Sequence, residues 1–116
     1  MASSYGRNGF TVQEAANSAD AYYSYKSENL TLNGTAAQTT SSWEAQPAKE
    51  VVLFAPAGTI DDDGITINLK VNGSYGDSIV VNFDNLPFTI KGLLVEAVKL
   101  TGGSGDDDVI TVLSFH

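Results

Sequence analysis

The chain has 116 residues, no cysteine, and 14 acidic against 6 basic residues, for a formal charge of −8 at neutral pH. Without thiols there is neither a disulfide framework nor a thiolate metal site, and a negative field with no Lys/Arg cluster repels nucleic acid and anionic lipid. No stretch approaches the roughly 20 apolar residues of a bilayer-spanning helix, and MASSYGRNGF lacks the basic start and apolar run of a secretory signal, so a chain that is not exported is expected.

Residues 1–49 are rich in Ser, Asn, Ala and Thr and poor in large aliphatic side chains. This composition reads as an extended N-terminal arm with little core of its own. Arg7, Lys26 and Lys49 nearly balance Glu14, Asp20, Glu28 and Glu44, so most of the acidic excess falls in residues 50–116. Within 11–26, Val12, Ala15, Ala16, Ala19, Tyr22 and Tyr23 recur at helical spacing, and Thr11 with Glu14 forms a capping box. The pattern predicts a short helix whose order comes from docking, because an alanine stripe buries little area and an isolated helix of this length is marginal in water. Leu30 and Leu32 alternate ahead of Asn33 and Gly34, which predicts a further strand and a two-residue hairpin turn. A polar connector then leads to Trp43, the one tryptophan. It has two readings: a cap on the end of the β core, or an anchor in a partner's pocket.

From Glu50 onward the chain reads as strand, turn, strand. EVVLF is a short apolar strand ended by Pro56 and Gly58. Ile65, Ile67, Leu69 and Val71 alternate with Thr66, Asn68 and Lys70, the pattern of a strand with one packed face and one wet face. Asn72 and Gly73 open the next turn, and SIVVNF follows. In FTIKGLLVEAVKL the alternation is lost at Gly92, Leu93, Leu94 and Val95, and a bulge at Gly92 that shifts the inward face is predicted. VITVLSF is apolar on both sides, as expected of a central or covered strand. Together these signals predict an all-β fold, a small antiparallel sandwich or barrel, jelly-roll-like, over residues 50–116, with an extended and partly helical arm over 1–49.

Candidate chemistry is sparse. Asp61, Asp62 and Asp63, and again Asp106, Asp107 and Asp108, offer oxygen ligands of the kind Ca²⁺ requires, yet neither run has EF-hand spacing. Tight, soluble turns are the better explanation, with a bound cation the weaker alternative. His116 is the single histidine, which leaves no multi-imidazole metal site; as the last residue it is expected to be frayed. Gly102, Gly103 and Gly105 form a GGSG loop without the lysine of a phosphate cradle. No nucleophile, base and cleft come together, so no enzymatic activity and no resident cofactor are expected, apart from the Ca²⁺ option. Tyr5, Tyr22, Tyr23 and Tyr25 cluster in the first 25 residues, and tyrosine suits contacts that are partly wet. Tyr5, Phe10, Tyr22, Tyr23, Tyr25 and Trp43 are the candidate partner-binding residues.

A compact β fold preceded by a sticky arm, closing on NLPFTIKGLLVEAVKL through GDDDVITVLSF, resembles in layout the small capsid decoration (cement) proteins and minor virion proteins of tailed bacteriophages. The resemblance implies a virion structural protein made in the host cytoplasm. Its partners would be the major capsid protein and copies of itself. The alternative expectation is a surface module that binds glycans or cell envelopes, with Ca²⁺ held in the Asp-rich loops.

Overall fold

The computed structural model describes residues 24–57, 64–103 and 107–116. The described residues form nine strands and one short 3₁₀ turn: β1 (Tyr25–Leu32), β2 (Gln38–Thr39), β3 (Ala48–Phe54), β4 (Gly64–Val71), β5 (Ser74–Tyr75), β6 (Ile79–Asn82), the turn Phe83–Asn85, β7 (Phe88–Val95), β8 (Ala97–Thr101) and β9 (Asp108–Phe115). Every strand pairing is antiparallel. One sheet has the order β1-β9-β3-β7; the other runs β2-β8-β4-β5, with β6 also on β4.

The alternation in β4 behaves as predicted. Ile65, Ile67 and Leu69 are buried while Thr66, Asn68 and Lys70 are half-buried. Across the sandwich they meet Leu30, Leu32, Val51, Leu53, Ile90, Ile110 and Val112 of the first sheet in one apolar core. At the end of β4, Asn72 and Gly73 both have positive φ, 54° and 85°, the signature of a type I′ hairpin. It pairs Val71 with Ser74 and folds β5 and then β6 back along β4.

Two expectations are corrected at the N-terminal side. The sandwich begins at Tyr25 rather than Glu50, because β1 pairs with β9 from Tyr25↔Phe115 to Leu32↔Asp108 and buries Leu30 and Leu32. Residues 25–49 therefore belong to the fold, and a helix begun at Thr11 cannot run to Lys26. The Asn33–Gly34 turn exists, with Gly34 at φ 67°, but it joins no hairpin: β2 crosses to the other sheet and pairs with β8. Two aliphatic residues were enough to mark a strand, whereas its partner, some 80 positions away, leaves no local trace.

The irregularity at Gly92 is real and larger than a simple bulge. The β3–β7 register passes from Glu50↔Lys91 to Ala48↔Val95, so Gly92, Leu93 and Leu94 stand opposite Lys49 alone. Gly92 has φ 85°, a conformation that glycine adopts without the Cβ penalty. After Val95, a single residue, Glu96, carries the chain into β8 of the other sheet. Its N–H donates to Lys70 O at 2.7 Å, its carbonyl accepts from Trp43 N–H at 2.7 Å, and its carboxylate accepts from Gly73 N–H at 2.9 Å. Those bonds satisfy the backbone where it leaves one ladder for the next.

Candidate functional site

The aromatic anchor proposed for a partner lies inside the fold. Trp43 is 2% exposed, and its indole N–H donates to the Glu28 carboxylate at 3.3 Å. The same carboxylate accepts from Ser41 N–H at 2.9 Å and Ser41 Oγ–H at 2.7 Å. The polar segment 40–43 is thereby tied across β1. Trp43 thus caps the core, the plainer of its two readings, and offers no surface to another molecule.

His116 is likewise not frayed. It is fully buried, its ring meets Trp43 edge-on with centroids 5.2 Å apart, and its backbone exchanges hydrogen bonds with Ser24. Nδ1 lies 2.6 Å from Gln46 O. A carbonyl only accepts, so Nδ1 carries the proton and, in the neutral ring, Nε2 accepts from Ser114 Oγ–H at 2.8 Å. Serine, imidazole and a carbonyl that orients the ring reproduce part of a nucleophile–base pair. Both Ser114 and His116 are 0% exposed, so no substrate carbonyl can reach them in this arrangement, and the cluster serves as a hydrogen-bonded plug in the core. The alternation of Ile110, Val112 and Ser114 continues to position 116 in phase, which is the signal that could have placed the histidine inside.

Asp107 is exposed and accepts a hydrogen bond from the Asn33 side chain. Asp108 is 5% exposed at the first position of β9. Asp61, Asp62, Asp63 and Asp106 lie outside the described residues, as do Tyr5, Phe10, Tyr22 and Tyr23. Among the described residues no three His, Cys, Asp or Glu side chains gather as metal ligands.

Surfaces rather than pockets distinguish the first sheet. Because Ser24 and His116 exchange both backbone bonds, the alternation of an antiparallel ladder turns the even residues of β1 toward β9. Tyr25, Ser27, Asn29 and Thr31 then direct their N–H and C=O groups to the outer edge. No described strand pairs that edge, and Tyr25, 69% exposed, stands where residues 1–24 join it. At the far edge, the β7 bulge exposes Leu93 and Leu94 to 43% and 58%. Among the described residues the first sheet thus has an unpaired hydrogen-bonding edge on one side and an apolar knob on the other, the two features by which strands recruit further chains.

No protein-family model, no curated protein and no solved structure matches this chain.

Proposed function

We propose that this chain is a non-enzymatic structural protein of a large symmetric assembly, a virion component that decorates or cements a phage capsid and is held there by its N-terminal arm. The observation that carries the reading is the strand order. With β5 and β6 counted as one interrupted strand against β4, the sheets run first-last-third-sixth and second-seventh-fourth-fifth. That order supports a jelly roll, an architecture shared by viral capsid domains, lectins and cupins. The step from fold to role is an analogy between folds, and three features favour the capsid among those hosts. Aliphatic side chains and Trp43 fill the interior where a cupin keeps its metal site. The Ser114–His116 pair is sealed. Among the described strands the first sheet ends on an unpaired edge, continuous in sequence with a tyrosine-rich arm.

In this role Tyr5, Phe10, Tyr22, Tyr23 and Tyr25 meet neighbouring subunits, namely the major capsid protein and further copies of this chain. Symmetry multiplies modest contacts into high avidity. Recovered from its native source, the chain migrates on a density gradient with a megadalton particle. Migration as a free subunit speaks against the reading.

A further inference from the structure

Among the described strands, the two sheets end on β1, β7, β2 and the β5–β6 pair, and all but β1 are blunted. β7 has Pro87 just ahead of it, Lys91 within it and the irregularity at Gly92. β2 and β5 are two residues long, and β6 has four. Proline, lysine, bulges and short strands are the devices that keep sheet edges from pairing with other chains. β1, by contrast, is eight residues without proline, and its register on β9 is unbroken from Tyr25↔Phe115 to Leu32↔Asp108. Its inward face carries Lys26 and Glu28 ahead of the buried Leu30 and Leu32. Inward charges at an edge usually repel a second strand. These two have opposite signs and stand two positions apart, so an antiparallel copy meets each with its opposite.

We propose that two copies of this chain join edge to edge through β1, antiparallel about a two-fold axis at Ser27, so that the first sheet continues from one copy into the next. The charges choose the axis. The outer backbone groups of β1 belong to Tyr25, Ser27, Asn29 and Thr31, so a two-fold register pairs odd residues with odd and even with even. Centred on Ser27, it sets Ser27 against Ser27 and Tyr25 against Asn29, pairs that exchange backbone hydrogen bonds. Lys26 of each copy then stands directly opposite Glu28 of the other, in the non-hydrogen-bonded position where Cα atoms are about 4.5 Å apart and side chains meet most closely. Centred on Glu28, the register opposes like charges; centred on Asn29, it sets Lys26 and Glu28 against Leu32 and Leu30. Ser41 and Trp43, which donate to Glu28 within the chain, are neutral, and the second copy's ammonium adds a positive charge to a carboxylate they already hold in place. Tyr25, 69% exposed in the single chain, gains a neighbour in Asn29 of the second copy. Such an isologous contact closes on itself, and the blunted edges elsewhere stop growth at two.

The inference rests on the sandwich and not on the capsid reading. One strand pair is small beside a standard interface of about 1,600 Å², so the full-length chain should sediment as a dimer at high micromolar concentration and dissociate on dilution. Lys26→Glu, at an exposed position, should remove the dimer while the chain stays folded. Because the chain has no cysteine, a single introduced thiol tests the register. Facing residues of a hydrogen-bonded pair have Cα atoms about 5.5 Å apart, within disulfide reach, so mild oxidation should give a covalent dimer from Ser27→Cys and none from Asn29→Cys or Thr31→Cys. The Ser27 and Asn29 amides should resist hydrogen exchange in the dimer and exchange readily in the Lys26→Glu chain. A parent chain that sediments as a monomer overturns the inference, and protected Ser27 and Asn29 amides in that monomer would assign the edge to a segment of the same chain. Cross-linking through Asn29→Cys in place of Ser27→Cys would overturn the charge-paired register. A monomeric chain can still travel with a particle on the gradient, so the two readings fall separately.

Discussion

Trp43 shows how one side chain can organise a stretch whose sequence is almost wholly polar. It is the bulkiest fully buried residue, it stacks edge-on against His116, and with Ser41 it satisfies the Glu28 carboxylate. Trp43→Ala removes the packing and leaves Glu28 short of a donor; a loss of about 3–5 kcal/mol of stability is expected, read as a drop in the denaturant midpoint. A second residue-scale contact carries a pH signature. Lys70 Nζ donates to Glu44 Oε2 at 2.7 Å. That hydrogen bond, reinforced by the ammonium's charge, lowers the Glu44 pKa and raises that of Lys70. A lowered carboxylate value contributes stability above the unfolded pKa and loses it as pH falls through the folded one; the raised lysine value contributes below its unfolded pKa and loses it as pH rises through the folded one. The pair's effect is therefore level through the neutral range. Glu44→Gln should lower the melting temperature slightly at neutral pH, and the difference from the parent should vanish in acid, below the ordinary glutamate value. Because the pair is exposed, salt should shrink the effect.

At the level of elements, the strands that could be read locally were those that keep one phase. Ile65, Ile67 and Leu69 declare β4 by themselves, and Asn72–Gly73 declares its turn. The loss of phase at Gly92 was also legible as an irregularity, but not as a change of sheet: Leu93, Leu94 and Val95 look alike in sequence, and only the pairing of Ala48 with Val95 and of Lys70 with Ala97 separates them. β1 was marked as a strand by Leu30 and Leu32 but assigned to the arm instead of the sandwich. Its outward residues are Tyr25, Ser27, Asn29 and Thr31, and its inward set has just two aliphatics, so its membership depends on the long-range ladder to β9. The same holds for the candidate site. The tyrosine cluster could be seen, whereas the edge of β1 beside it and the exposed Leu93 and Leu94 at the far edge can be placed only once the sheet order is known. The bulge allows a sharp test. Gly92→Ala meets no atom within 4 Å but must keep φ at +85°, so a backbone cost of about 1–2 kcal/mol is expected. Gly64→Ala makes ordinary contacts at 3.6 Å and beyond and has no positive φ to maintain, so it should cost less. Equal costs in thermal denaturation would contradict the strand-switch account.

For the whole molecule, charge and shape divide the labour. The acidic excess lies in residues 50–116, while the first residues are nearly neutral and aromatic. On the proposed reading the arm supplies attachment and the charged sandwich limits unspecific self-association. Since the described fold begins with β1 at Tyr25, an arm drawn to Lys49 would take β1 and Trp43 with it. Point substitutions in the arm are therefore the cleaner probe. The decisive measurement is a density gradient of material from the native source, run with the parent chain and with a Tyr5→Ala, Phe10→Ala variant. The account predicts that the parent travels with a megadalton particle and that the variant, melting at the same temperature, stays at the top of the gradient. A parent chain that remains at the top would contradict it.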